Sequence, residues 1–122
     1  MRKGYAFIIR HVISLYTHIY SPVAILILME FIDKLAWIYI EDRKILSTRS
    51  KGKDAWYIPG GKREKGESDN QALVREVKEE LMVDLVQDSI KYLDTFKAQA
   101  HGKPERVFVQ MTCYTAEYKG TL

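Results

Sequence analysis

At 122 residues, with 47% apolar and 29% charged side chains, the chain has the size and balance of one globular domain. Its net charge of +3 is too small to argue for tracking a nucleic acid, so nucleic acid is disfavoured as a partner. A lone cysteine, Cys113, excludes an internal disulfide and fits a reducing, cytoplasmic setting. In chain order, the first feature is a run from His11 to Met29 without Asp, Glu, Lys or Arg, preceded by Arg2, Lys3 and Arg10. It has the length of a membrane span, but Ser14, Thr17, His18, Ser21 and Pro22 dilute it. A membrane partner is disfavoured, though residues 11–29 keep it open. Met29 stands where a compact domain would begin, so residues 1–28 are read as an apolar N-terminal extension and residues 29–122 as the domain.

Leu35–Ile40 and Ile45–Thr48 read as strands around a Glu41-Asp42-Arg43 turn, followed by a polar loop at 50–54 and a short Ala55–Ile58 strand. Ser68 and Gln71 then fit the Ser-x-x-Gln capping pattern, which predicts a helix from about Asp69 to Leu81. Leu73, Val77 and Leu81 recur every four residues as an apolar stripe, while Glu76 and Glu80, close to Glu79, form an acidic neighbouring face. Residues 83–86, 90–96 and 107–116 read as extended, with a loop over 98–106. Trp56, Tyr57, Phe96 and Phe108 are candidates to stack on a base, against a background in which strand aromatics are more often core.

The acidic face carries the chemistry. Like charges four apart on an exposed helix repel by a few tenths of a kcal/mol per pair, and a hard cation among them would relieve that repulsion. Mg2+ and Mn2+ prefer oxygen ligands, and Mg2+ keeps some positions for water and substrate phosphates, so the expected substrate is a phosphate compound. A plain solvated helix face is the competing reading of such a hexapeptide. Against it stands the fixed spacing of Gly61, Glu67, Arg75-Glu76 and Glu79-Glu80 behind a Pro59-Gly60 turn.

The segment from Gly61 to Val83 resembles the Nudix box: Gly, five residues, Glu, seven residues, Arg-Glu, an aliphatic residue, any residue, Glu-Glu, any residue, Gly, aliphatic. Gly61, Glu67, Arg75, Glu76, Val77, Glu79, Glu80 and Val83 match, and Met82 stands where the family usually has Gly. The resemblance extends over roughly residues 34 to 122. It implies an α/β (α+β) class, a Nudix-like α/β/α sandwich with a mixed β-sheet, here short of the usual C-terminal strand and helix.

The resemblance further implies metal-dependent hydrolysis of a pyrophosphate linkage in a nucleoside triphosphate or another nucleoside diphosphate linked to a group X. By position, Glu76, Glu79, Glu80 and Gly60 would be the metal set, with Glu76, Glu79 and Arg75 as the catalytic set. Arg75 would orient a glutamate, and Gly61 and Glu67 would support loop and helix. The implied cofactor is Mg2+, with Mn2+ as the alternative, and the implied partner is a small phosphorylated nucleotide; a homo-oligomer is left open. Met82 and the short C-terminus support a second reading, a weak or inactive module that binds a nucleotide or a protein.

Overall fold

The computed structural model describes residues 28–122. The extension expected over residues 1–28 and the apolar run at 11–29 therefore lie almost entirely outside the described residues. No helix among the described residues is long and apolar enough to cross a membrane.

Among the described residues the elements follow in the order β1 (Glu30–Trp37), β2 (Ile40–Glu41), β3 (Lys44–Ile45), β4 (Gly60–Gly61), α1 (Asp69–Leu81), β5 (Asp84–Leu85), β6 (Lys91–Gln99), β7 (Val107–Thr115) and β8 (Tyr118–Lys119), with a 3-10 turn at Gln87–Ser89. The main sheet has the order β4-β1-β7-β6. β1 runs antiparallel to β4, with Leu35 opposite Gly61 and Ala36 opposite Gly60. It runs parallel to β7, since Glu30 N–H donates to Arg106 O and Ile38 N–H donates to Tyr114 O at the same offset. The result is a mixed sheet with a helix, an α+β arrangement. Two small antiparallel ladders, β2-β3 and β5-β8, complete it.

The described chain forms two compact units. One contains residues 28–33 with Phe96–Gln110, and the other contains Lys34–Thr95 with Met111–Leu122. In the first, Phe31 lies 5.9 Å from the Phe108 ring, and Lys97 caps the Phe31 face at 5.3 Å. The second holds a core of Leu35 and Trp37 from β1, Ala72, Leu73 and Val77 from α1, and Val83 and Leu85 beyond it. Burying an aliphatic side chain of this size contributes roughly 1.5–3 kcal/mol, which is what holds α1 to the sheet. Trp37 also donates its indole N–H to Ala116 O at 3.2 Å, so the core aromatic is satisfied.

α1 occupies the expected span, but its buried face is Ala72, Leu73 and Val77, while Leu81 is only partly buried at the helix end. The strand pattern departs more. β1 ends at Trp37, not Ile40, and β6 continues through Gln99. Of Ala55–Ile58, only a bridge between Tyr57 and Thr48 forms, and sheet pairing moves to Gly60–Gly61, which alternation of side chains cannot flag. The reason is backbone proximity: a Cβ on Gly60, at φ +146°, would overlap the Leu35 carbonyl. β8, unforeseen because two residues carry no periodicity, pairs with β5.

Candidate functional site

The site lies wholly in the second unit, where the Gly60–Gly61 strand feeds a loop that returns as α1. Ser68 caps α1 by accepting the Gln71 N–H at 3.2 Å, and the Gln71 side chain accepts the Ser68 N–H at 2.9 Å, a closed capping box. That fixes where the helix starts, and hence which turn carries each glutamate.

Arg75 is the hub. Its Nε donates to Glu67 Oε1 at 2.6 Å and its Nη2 to Glu67 Oε2 at 2.8 Å, a two-pronged pairing. Nη2 also donates to Lys62 O at 3.0 Å, and Nη1 to Glu76 Oε1 at 3.0 Å. Glu79, one turn on, is a more distant partner at 3.5 Å and more than half exposed. Glu67 further accepts the Glu64 N–H at 2.7 Å. The hydrogen bonds from Arg75, then that from Glu64, hold the Glu67 carboxyl down to about 2. The strongest tie of Arg75 is thus to a residue eight positions earlier, one that helix spacing alone does not select.

Glu76 and Glu80 both face the glycine pair. A Cβ on Gly61 would fall on the Glu76 carboxyl group, and Gly60 N–H donates to the Glu80 carboxylate. Burial pushes Glu80 up from the ordinary carboxylate value, the Gly60 hydrogen bond works against this, and the Glu76 charge adds to the rise. Among the described residues no three acidic, histidine or cysteine side chains are already gathered as a cage. Arg75 draws Glu76 and Glu79 towards itself, while Glu80 lies at Gly60.

The donor chemistry nevertheless fits a hard divalent cation. The carboxylates of Glu76, Glu79 and Glu80 come from one helical turn and the next, the missing Gly61 side chain leaves room at Glu76, and the rise of Glu80, chiefly from burial, is increased by the nearby Glu76 and Glu79 charges. Gly60, the remaining member of the expected metal set, lies beside Gly61 on the same short, partly buried strand.

Beside Glu80 and Gly60 opens a cleft of about 510 Å3, lined also by Lys34, Thr48, Arg49 and Tyr57. The Arg49 guanidinium lies 4.8 Å from the Trp56 ring centre. Trp56 and Tyr57 are exposed, whereas Phe108 is buried in the other unit. Sequence reasoning passed over Lys34 and Arg49, which no motif distinguishes from surface charge. It also missed Asp69, whose carboxylate accepts from Arg63 Nε and from the Tyr114 hydroxyl. An acidic residue opening a helix is commonplace, so only the fold reveals that pairing.

The family model of the NUDIX domain matches residues 34–122. Over 67 residues the chain is 39% identical to 8-oxo-dGTP diphosphatase of Proteus vulgaris, covering 55% of each protein. The chain thus spans about half the length of that curated relative. Among solved structures, the E. coli ORF135 protein superposes with a TM-score of 0.57 at 30% identity, over 77% of this chain and 66% of that one. A MutT protein from Bacillus halodurans gives a TM-score of 0.56 at 23% identity, over 72% of this chain and 57% of that one, a likeness of fold.

Proposed function

The chain belongs to the Nudix family, and from that premise we propose that residues 29–122 form a pyrophosphohydrolase that splits the phosphoanhydride of a nucleoside triphosphate, or of a nucleoside diphosphate linked to a group X. The observation that carries this reading is the set of carboxylates from Glu76 and, one turn on, Glu79 and Glu80 of α1, with Glu76 and Glu80 facing Gly60–Gly61. Glu76, Glu79 and Glu80, with the Gly60 carbonyl, would hold Mg2+, or Mn2+ in its place. A bound divalent ion neutralises charge on phosphoryl oxygens and lowers the pKa of a water that can attack phosphorus.

The chain's own residues do the rest. Arg75 fixes the Glu67 and Glu76 carboxylates, so the loop before α1 and the helix itself stay in one register. Glu79, far more exposed than Glu76, is our choice as acceptor of the water proton. Lys34 and Arg49 give the cleft a positive wall for phosphate, and Tyr57, exposed in the same lining, offers a face for a base. Because its relative from Proteus vulgaris is named for 8-oxo-dGTP, oxidised and ordinary purine nucleoside triphosphates are the first substrates to try. The buried Cys113 thiol suits a cytoplasmic setting.

The test is release of phosphate or pyrophosphate from a panel of nucleoside triphosphates, dinucleotides and nucleotide sugars with Mg2+, comparing the native chain with Glu80→Gln. Turnover that disappears in the variant and on adding EDTA supports the reading. Equal release by both proteins overturns it. Nucleotide binding without turnover would instead favour the noncatalytic module; Met82, in place of the usual Gly, keeps the left-handed conformation after α1, so the helix exit does not itself favour that reading.

A further inference from the structure

Outside the box pairing of Arg75 with Glu67, a second carboxylate is gripped from both sides. Asp69, the first residue of α1, receives Arg63 Nε on Oδ1 and the Tyr114 hydroxyl on Oδ2. Arg63 belongs to the loop that follows Gly61, and Tyr114 to β7. One carboxylate thus joins loop, helix and sheet, although its three members are separated by up to 51 positions, from Arg63 to Tyr114. We propose that Tyr114, through Asp69, is a positioning residue that fixes where α1 begins against the sheet and so sets how closely Glu76 and Glu80 approach Gly60 and Gly61.

The geometry makes this more than one bond among many. The core contacts of α1, through Ala72, Leu73 and Val77, are apolar and do not fix movement along the helix axis as a directional hydrogen bond does. The Ser68 capping box sets the helix start relative to the loop alone. Tyr114 supplies a polar tie from the first turn of α1 to β7. The Tyr92 ring, edge-on to Tyr114 with centres 6.0 Å apart, limits the tyrosine's own swing. Burial, then the hydrogen bond to Asp69, pushes the Tyr114 hydroxyl up to about 12, so it keeps its proton and remains the donor at neutral pH. Arg63 holds the other oxygen, and its hydrogen bond keeps Asp69 ionised to accept from both.

The inference rests on the proposed metal site, and its test separates the two. Tyr114→Phe removes only the donor, and Cys113→Ala, next to it on β7, serves as a control for general loosening of the strand. Mn2+ binding is followed by electron paramagnetic resonance without substrate, and hydrogen exchange is followed at the amides of residues 62–68. Tyr114→Phe should weaken Mn2+ binding about tenfold, at the low end of what loss of an outer partner costs a metal site. It should also speed exchange in the loop, while Cys113→Ala changes neither beyond twofold. Equal Mn2+ affinity in Tyr114→Phe and the native chain, or equal weakening in both variants, would overturn the role of Tyr114. If the native chain takes up no Mn2+ at all, the metal reading fails. The exchange rates then decide the mechanical claim alone: unchanged rates in Tyr114→Phe refute it, and faster ones confined to that variant uphold it.

Discussion

Arg75 and Glu67 meet through two parallel hydrogen bonds, 2.6 Å from Nε to Oε1 and 2.8 Å from Nη2 to Oε2. This fork-to-fork contact depends on the planar guanidinium, which presents two donors at once. Lysine keeps the charge but offers a single point, so Arg75→Lys should release Glu67 and leave the Lys62 carbonyl and Glu76 without their shared donor. Hydrolysis should fall by about 10- to 100-fold, the range seen when outer partners of a metal site are removed. Steady-state kinetics with Mg2+ titrated at each step would check it, since the metal concentration needed for half activity should rise as well.

The same contact predicts an acid dependence of stability. Glu67 titrates lower in the folded chain, to about 2, than in the unfolded chain, near 4.3, so its contribution is complete above the unfolded value and is lost as pH falls through the folded one. Asp69, also lowered, chiefly by Arg63, acts in the same direction. The urea midpoint should therefore hold steady from pH 7 to 5 and drop between about 4.3 and 2. Glu67→Gln should start lower at neutral pH and fall less steeply; an identical slope for both proteins would contradict the assignment.

Gly61→Ala addresses the room beside Glu76. The added methyl group would meet the Glu76 carboxyl, so this side chain must turn away from the glycine pair. Displacement of a reacting group by about 1 Å can cost ~100-fold in rate, and a loss of that size is expected here. Circular dichroism should show α1 intact, because the helix core of Ala72, Leu73 and Val77 is untouched.

Met82 carries a stability prediction of the opposite sign. It sits at φ 61° with its side chain exposed, so the β-carbon strains the backbone while the thioether buries little. A left-handed conformation costs a non-glycine residue about 1–2 kcal/mol, part of which is returned as greater freedom of glycine in the unfolded chain. Met82→Gly should gain roughly 0.5–1 kcal/mol, seen as a rise in Tm of about 4 °C.

What the sequence revealed followed from the kind of signal each element carried. α1 was readable to its end residues because Ser68 and Gln71 announce its start and the apolar spacing of Leu73 and Val77 its face. The placing of Glu76, Glu79 and Glu80 along α1 was readable for the same reason, since helical spacing converts residue number into direction, but their division between Arg75 and Gly60 was not. β4 was not, because two glycines give no alternation and pair with β1 through proximity of main chains. Nor could spacing reveal that Tyr114 and Arg63 converge on Asp69, which depends on the fold bringing β7 and the loop after Gly61 to the start of α1.

The two sides of the cleft are built to different standards of firmness. Gly60 and Gly61 are stitched into the central sheet opposite Ala36 and Leu35, whereas the segment bearing Arg49 and Trp56 is tied across its base by the solitary Thr48–Tyr57 bridge. Insertions or exchanges in residues 49–56 can accordingly accumulate without shifting the glutamates. Under the proposed activity, such a scaffold can drift from one leaving group to another while its hydrolytic machinery is inherited unchanged.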